Sequence, residues 1–461
     1  MVFSSLIFLF IFLPIFLGIY FLVPKKFKNL ILFLFSLVFY AWGEPIYVVI
    51  MLFSTVYDYT IGLFMDRYRS NKYIPRVCLV LSILGNMGML MFFKYSNFFI
   101  ENINNIFNMN VDLLSVALPI GISFYTFQTM SYTIDLYRNK ICVQRNIISF
   151  GAYVAMFPQL IAGPIVTYSK VEKEIDNRSE NLDKFTYGIT RFIEGLAKKV
   201  LIANGVGMLW EQISNSFILD MSVATAWLGM VAFGLQLYFD FSGYSDMAIG
   251  LGSMLGFNFP ENFNYPYISR SVTEFWRRWH ITLGSWFREY VYIPLGGNRV
   301  SKKRFLINIG IVWFLTGFWH GASWNFVLWG VYFGVIMIFE KVFLLKYLEK
   351  LPNVISRSYL LITIILSWVL FSMDSLKSIK NYFMVMFGFG QGNLIDDNFM
   401  YLISNYGILL IIGVIFTTPV SKYIKKYIRE ELMYFVYIII LILVTAYLVD
   451  STFNPFLYFR F

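Results

Sequence analysis

This chain is poor in charge and poorer still in groups that titrate near neutrality. Of its 461 residues, 14% are charged, two are histidine and two are cysteine. Soluble domains carry about 25% charged residues, so no sizeable soluble domain fits here. Cys78 and Cys142 lie in different segments without CxxC spacing, which argues against a disulfide framework or a thiolate metal site. Two histidines without further soft ligands give no metal set either. The start, Met1-Val-Phe-Ser-Ser, lacks a charged leader and a small-residue cleavage site, so it is expected to be a retained first span. No internal repeat is evident, which weighs against a repeat-built transporter.

What is abundant is apolar. Hydrophobic residues make up 58% of the chain, with 50 Phe, 32 Tyr and 11 Trp. Apolar runs recur from end to end between short basic or Asn/Pro-rich breaks. Lipid accepts only spans that satisfy their own backbone hydrogen bonds. The expected fold class is therefore an all-α polytopic membrane protein of about 11–12 transmembrane helices, with re-entrant or interfacial helices added. One integral-membrane domain over 1–461 is expected, its motif core at about 114–343.

The net charge of +10 is unevenly placed. Lys25, Lys26 and Lys28, then Arg67 to Arg76, Arg138 to Arg145 and Lys422 to Arg429 cluster in connections. The positive-inside rule makes these loops cytoplasmic and the N-terminus external. Asn97 to Asp112 has no Lys or Arg, as expected of an outer loop. Such clusters are topology signals, so no nucleic acid is expected as a partner, and membrane lipids are.

Two stretches break the simple alternation. Asn146 to Tyr168 has basic flanks and a Gly163-Pro164 break, so it reads as a re-entrant or kinked element that protein must cover. Asn262 to Arg304 is too rich in Arg and Lys to span and reads as amphipathic interfacial helices.

Within the apolar runs a few polar residues stand out. Gln128 and Asp135 share a helical face, as do Gln236, Asp240 and Tyr244. Either they hydrogen-bond helices together or they face a cavity. Glu274 stands three and four residues before Arg277 and Arg278, which supports a helix and puts Trp276 on the face of His280. The arginines suit a phosphate-bearing donor or, equally, lipid headgroups. His320 lies between two apolar segments and is flanked by Gly317 and Gly321. It is either an imidazole tied to a carbonyl or a general base.

Several motifs together resemble one family. They are Leu118-Pro-Ile-Gly-Ile-Ser-Phe-Tyr-Thr-Phe-Gln128, Tyr238-Phe-Asp-Phe-Ser-Gly-Tyr-Ser-Asp-Met-Ala248 and Pro260-Glu-Asn-Phe-Asn-Tyr-Pro266. With them stand Phe275-Trp-Arg-Arg-Trp-His280 through Arg299, and Gly317-Phe-Trp-His320-Gly-Ala-Ser-Trp-Asn325. The chain resembles the membrane-bound O-acyltransferase family, and its opening with Tyr40-Ala-Trp-Gly-Glu-Pro45 is similar to the alginate O-acetyltransferase membrane-subunit branch.

The resemblance implies helices around a central tunnel, His320 as catalytic base and His280 as a second active-site residue. Trp276, Arg277, Arg278, Trp319, Asn325, Asp240 and Gln236 become candidates for substrate or donor binding. No bound cofactor or metal is implied. The donor would be acetyl-CoA or another acyl thioester. The acceptor would be a polysaccharide, or an extracytoplasmic SGNH-type acetyltransferase partner, reached from a bacterial cytoplasmic membrane. D-alanyl transfer from a carrier protein towards teichoic acid is the alternative within the family. A transporter or flippase would explain the intramembrane Asp and Gln but leave the histidine motifs without a role.

Overall fold

The computed structural model describes residues 1–161, 163–450, 453–455 and 457; among them it is helical, with no strand. Contacts divide the chain into two compact units, Met1–Phe192 with Ser245–Pro260, and Ile193–Tyr244 with Glu261–Phe461.

The first unit holds α1 (Leu13–Leu22), α2 (Lys28–Ala41), α3 (Val48–Arg67), α4 (Ile74–Leu90), α5 (Ser96–Phe107) and α6 (Ile122–Tyr137). It continues through α7 (Ile147–Ala155), α8 (Phe157–Leu160), α9 (Tyr168–Asn177) and most of α10 (Leu182–Ala197). Pro75 enters at the first turn of α4, where the missing N–H has no helical partner to lose, whereas Pro14 follows a π-helical stretch, Phe8–Phe12, that runs straight into α1. α4 and α5 run on as one 34-residue helix, Ile74–Phe107. The expected outer loop from Asn97 is thus helical as far as Phe107 and ends at Asn108 in the left-handed conformation (φ 51°), a stop that Asn tolerates.

A buried polar network joins α3, α4 and α6. Asp58 accepts from Ser82 (2.6 Å) and Asn86 (2.7 Å), and Asn86 accepts from Thr129 (3.0 Å). Apolar surface gives no net drive between helices in lipid, so such bonds supply specificity. Gln128 lies in α6 with no exposure. Asp135, expected beside it, is buried on the same helix.

The Asn146–Tyr168 stretch is interrupted, and earlier than its Gly-Pro pair. Asn146 caps α7 by accepting from Ile148 (2.9 Å) and Ser149 (3.3 Å). The helix then stops at Met156 (ψ 106°), and Pro158 enters at the first turn of the short α8, where its missing N–H has no helical partner to lose. Ala162, inside the expected break, lies outside the described residues. Residues from Ser149 to Leu160 are buried, and that cover is what lets an irregular backbone sit at such depth.

The second unit begins with the end of α10 and the π-helical Lys198–Ala203, continues into α11 (Asn204–Ser214) and takes the first part of α12 (Val223–Met254), up to Tyr244. Two short helices follow, α13 (Val272–Arg278) and α14 (Ile281–Phe287), then the hairpin of α15 (Lys302–His320) and α16 (Trp324–Phe339). α17 (Leu345–Leu348), α18 (Asn353–Ser372), α19 (Leu376–Met386), α20 (Asp397–Phe416), α21 (Val420–Tyr427) and α22 (Glu430–Asp450) complete it. α15 and α16 touch through glycine: a Cβ on Gly317 would stand 2.9 Å from the Gly330 Cα, and one on Gly330 would stand 2.5 Å from the Trp313 carbonyl. Only hydrogen allows this approach.

Among the described residues, seven helices are long and apolar enough to cross a membrane, and Phe8–Leu22 is a shorter apolar helix. The protein is therefore a multi-pass membrane protein. The expected 11–12 counts apolar runs, and several of those runs fold into pieces too short or too polar to meet that test. α2, α6 and α7 have 14, 16 and 9 residues.

Candidate active site

Both histidines fall in the second unit, and the short helices between Asn262 and Arg288 place the first. Ser271 accepts from the Glu274 N–H (3.0 Å), and the Glu274 carboxylate accepts from the Arg270 N–H (2.8 Å), close to a capping box. Glu340, with no exposure, accepts from the Val272 N–H (2.6 Å), the Thr273 N–H (2.7 Å) and the Thr273 hydroxyl (2.7 Å). A carboxylate at a helix start satisfies orphan donors and meets the positive end of the dipole.

α13 ends at Arg278, Trp279 is extended, and His280 takes the left-handed conformation (φ 45°, ψ 53°) before α14 starts. The expected common helical face of Trp276 and His280 therefore does not form. A helix periodicity argument fails at an elbow, and a non-glycine residue with positive φ is held there only by its surroundings. Those surroundings centre on Asn262. Its Oδ1 accepts from the Thr282 N–H (3.2 Å) and the Thr282 hydroxyl (2.9 Å), and stands 3.1 Å from His280 Nδ1. A backbone N–H can only donate, so the atom facing it is oxygen and the amide cannot be flipped. His280 Nδ1 must then carry hydrogen. Burial first, and the neighbouring His320 second, hold the imidazole well below its ordinary pKa. The ring is neutral, and Nε2, which has no hydrogen-bond partner among the described residues, keeps a bare lone pair.

His320 closes α15 and is 8% exposed. Its ring is surrounded edge to face by Trp329 (4.9 Å between centroids), Trp319 (5.1 Å) and Phe371 (5.5 Å). Trp319 also lies 6.2 Å from His280, so one indole bridges the two imidazoles. Gly321 is required because a Cβ there would run into the Phe326 ring. The Trp329 indole N–H has no partner among the described residues and is buried.

Two buried imidazoles thus share one aromatic enclosure. Residues 141–382, over half of the chain, match the membrane-bound O-acyltransferase family. The chain is also 42% identical to the probable alginate O-acetylase AlgI of Azotobacter vinelandii, over 86% of this chain and 80% of that protein. The chain belongs to the membrane-bound O-acyltransferase family. The peptidoglycan O-acetyltransferase of Helicobacter pylori is 35% identical, over 82% of this chain and 78% of its own length. The teichoic acid D-alanyltransferase of Streptococcus thermophilus is 28% identical over 49% of this chain and 58% of its own.

The remaining candidates of this O-acyltransferase divide. Trp319 joins the site directly. Trp276 is half-buried and packs on Trp313 (4.8 Å) and Phe333 (4.9 Å), as a wall of the aromatic cluster. Asn325 is 5% exposed at the start of α16, with its Oδ1 unpartnered among the described residues. Arg278 is tied to Glu274 (2.8 Å), whereas Arg277 is exposed and available to a ligand or to lipid.

Asp240 is engaged elsewhere. It forms a buried ion pair with Lys199 (2.7 Å) and accepts from the Leu457 N–H (2.9 Å). Lys199 in turn donates to the Pro455 carbonyl. Binding a substrate at Asp240 would mean breaking that pair. Gln236 is buried beside α11, where a Cβ on Gly207 would touch its amide.

Sequence reasoning passed over Asn262, Lys199, Glu340, Trp329 and Phe371. Asn262 had a signal in the Pro260-Glu-Asn motif, and Lys199 and Glu340 as charges at the edges of apolar runs, beside Lys198 and Lys341. Trp329 and Phe371 had none, since aromatic residues are everywhere in this chain.

Proposed function

We propose that this O-acyltransferase moves an acetyl group from a cytoplasmic thioester, acetyl-CoA or a related donor, to a polysaccharide outside a bacterial cytoplasmic membrane. The observation that supports it most is the pairing of the chain's two histidines, both buried, through the Trp319 ring. His320 acts as general base and takes the proton of the acceptor hydroxyl. The oxygen then attacks the thioester carbonyl, the C–S bond breaks, and the imidazolium returns its proton to the leaving thiolate. The unpartnered Trp329 indole N–H is the donor for the developing oxyanion. His280 offers its bare Nε2 as a hydrogen-bond acceptor that positions the incoming substrate. His320 raises the cost of charging His280, which keeps His280 neutral beside the base.

An extracytoplasmic SGNH-type acetyltransferase is the proposed immediate acceptor. Acetylated-polymer products are favoured over D-alanyl ones because the O-acetylating relatives match most of the chain and the D-alanylating one about half. Arg277 is proposed to meet the donor's phosphates. The test is mass spectrometry of surface polymers from a strain carrying His320→Ala. Loss of ester-linked acetyl by about 10²–10⁴-fold is expected, with the protein still inserted. Near-normal acetylation overturns the assignment of the base, and loss of D-alanyl esters with acetyl intact overturns the substrate.

A further inference from the structure

The first unit carries a cavity that the acyl-transfer chemistry does not use. About 580 Å³ in volume, it lies between Lys25–Phe27 with the first turn of α2, the start of α7 and the end of α9. Its wall includes Lys25, Lys26, Lys28 and Arg178 against two carboxylates, Asp176 and Glu180. Both carboxylates are already engaged. Glu180 pairs with Lys28 (3.0 Å) and, more distantly, with Arg178 (3.7 Å), and accepts from Tyr20 (2.9 Å); Asp176 accepts from Ser149 (3.2 Å) and Gln144 (3.2 Å).

The cations are in surplus. Arg178, 6% exposed, is locked in place: Nε donates to the Tyr20 oxygen (2.7 Å), and Nη1 to Asn29 (2.6 Å) and the Ile175 carbonyl (2.8 Å). Its Nη2 has no hydrogen-bond partner among the described residues. Lys25 and Lys26 are exposed and make no ion pair among the described residues. A fixed guanidinium with two exposed ammonium groups, one of them 4.9 Å from the Phe27 ring centroid, recognises a phosphate.

A second observation says what the phosphate is attached to. Glu180 also borders an apolar groove of about 340 Å³ lined by Phe21, Leu182 and Phe185. Phe21 is 42% and Leu182 78% exposed, and the Phe21 and Phe185 rings meet edge to face at 5.5 Å. A cationic cavity that opens beside an apolar groove matches a headgroup with its acyl chain, not a soluble phosphate. By the positive-inside rule the lysines also put this feature at the cytoplasmic interface, where anionic headgroups concentrate on basic clusters.

We infer that the Lys25–Lys28 connection, Arg178 and the Phe21–Leu182–Phe185 groove form a binding site for one anionic phospholipid. The phosphate sits against Lys25, Lys26 and Arg178, and one acyl chain lies along the groove.

Native mass spectrometry of the full chain in neutral detergent tests this, with phosphatidylglycerol, phosphatidylcholine, inorganic phosphate and coenzyme A as separate probes. Expected is one retained phosphatidylglycerol per chain, no comparable retention of phosphatidylcholine, and no displacement by phosphate or coenzyme A. The double variant Lys25→Gln, Lys26→Gln should weaken retention about tenfold or more, since neither side chain holds the fold. Leu182→Asp should weaken it by blocking the groove. Equal retention of both lipids overturns the proposal, as does unchanged retention in the double variant. Displacement by coenzyme A or phosphate would reassign the cavity to a soluble ligand. The wild-type comparison requires no variant and stands if one fails to fold.

Discussion

At His280 the deciding contact comes from a backbone group, the Thr282 N–H, which orients the Asn262 amide and through it the imidazole proton. Replacing Asn262 by Asp keeps the shape and puts a carboxylate on Nδ1–H, which favours the imidazolium. In the native protein His280 has a lowered pKa, so the neutral form persists as pH falls through about 6.5, the free imidazole value. Acyl transfer should therefore persist through that pH and fall only well below it. In Asn262→Asp the acid limb of the kcat profile should move to higher pH; a profile merely scaled down, with no shift, would make Asn262 a packing residue only.

The same residue scale tests Trp329. Phe in its place keeps the ring beside His320 and removes only the indole N–H. Loss of one oxyanion donor lowers kcat by about 10²–10³, with KM for the donor little changed. A change confined to KM would assign the indole to ground-state binding instead.

At the scale of elements, the elbow at His280 depends on α13 staying put, and Glu340 of the neighbouring helical segment secures its start. Seven residues are too few to form a helix unaided, so α13 exists by virtue of its caps and packing. Glu340→Ala leaves two buried N–H groups and a hydroxyl without that partner, at a cost of about 2–4 kcal/mol. The detergent-solubilised variant should melt at a lower temperature and lose activity together. An unchanged melting curve would show that α13 is held by its aromatic packing alone. The glycine contact of α15 with α16 explains how His320 reaches its cage: close helices bring Trp329 over the ring.

At the scale of the whole molecule, the charge rule sets a topology that the natural cysteines can report. Cys142 is exposed in a connection between Arg138 and Arg145, and Cys78 is buried in α4. An impermeant maleimide should label Cys142 only when it has access to the cytoplasmic face, as in inverted vesicles. Labelling from outside intact cells would reverse the orientation and, with it, the proposed inward-to-outward passage of the acyl group.

The sequence by itself determined the class of protein, since lipid leaves apolar chains little choice but helices, and the two scarce histidines pointed to the candidate site through the motifs around them. It could not show that His280 leaves its helix, because helical periodicity carries no sign of where a short helix ends without Gly or Pro. Tertiary structure alone decided the Asn262–His280 bond, the aromatic cage of His320 and the Lys199–Asp240 pair. Each depends on partners brought together from distant segments, and a hydrogen bond or ion pair exists only once both groups are fixed within about 3 Å.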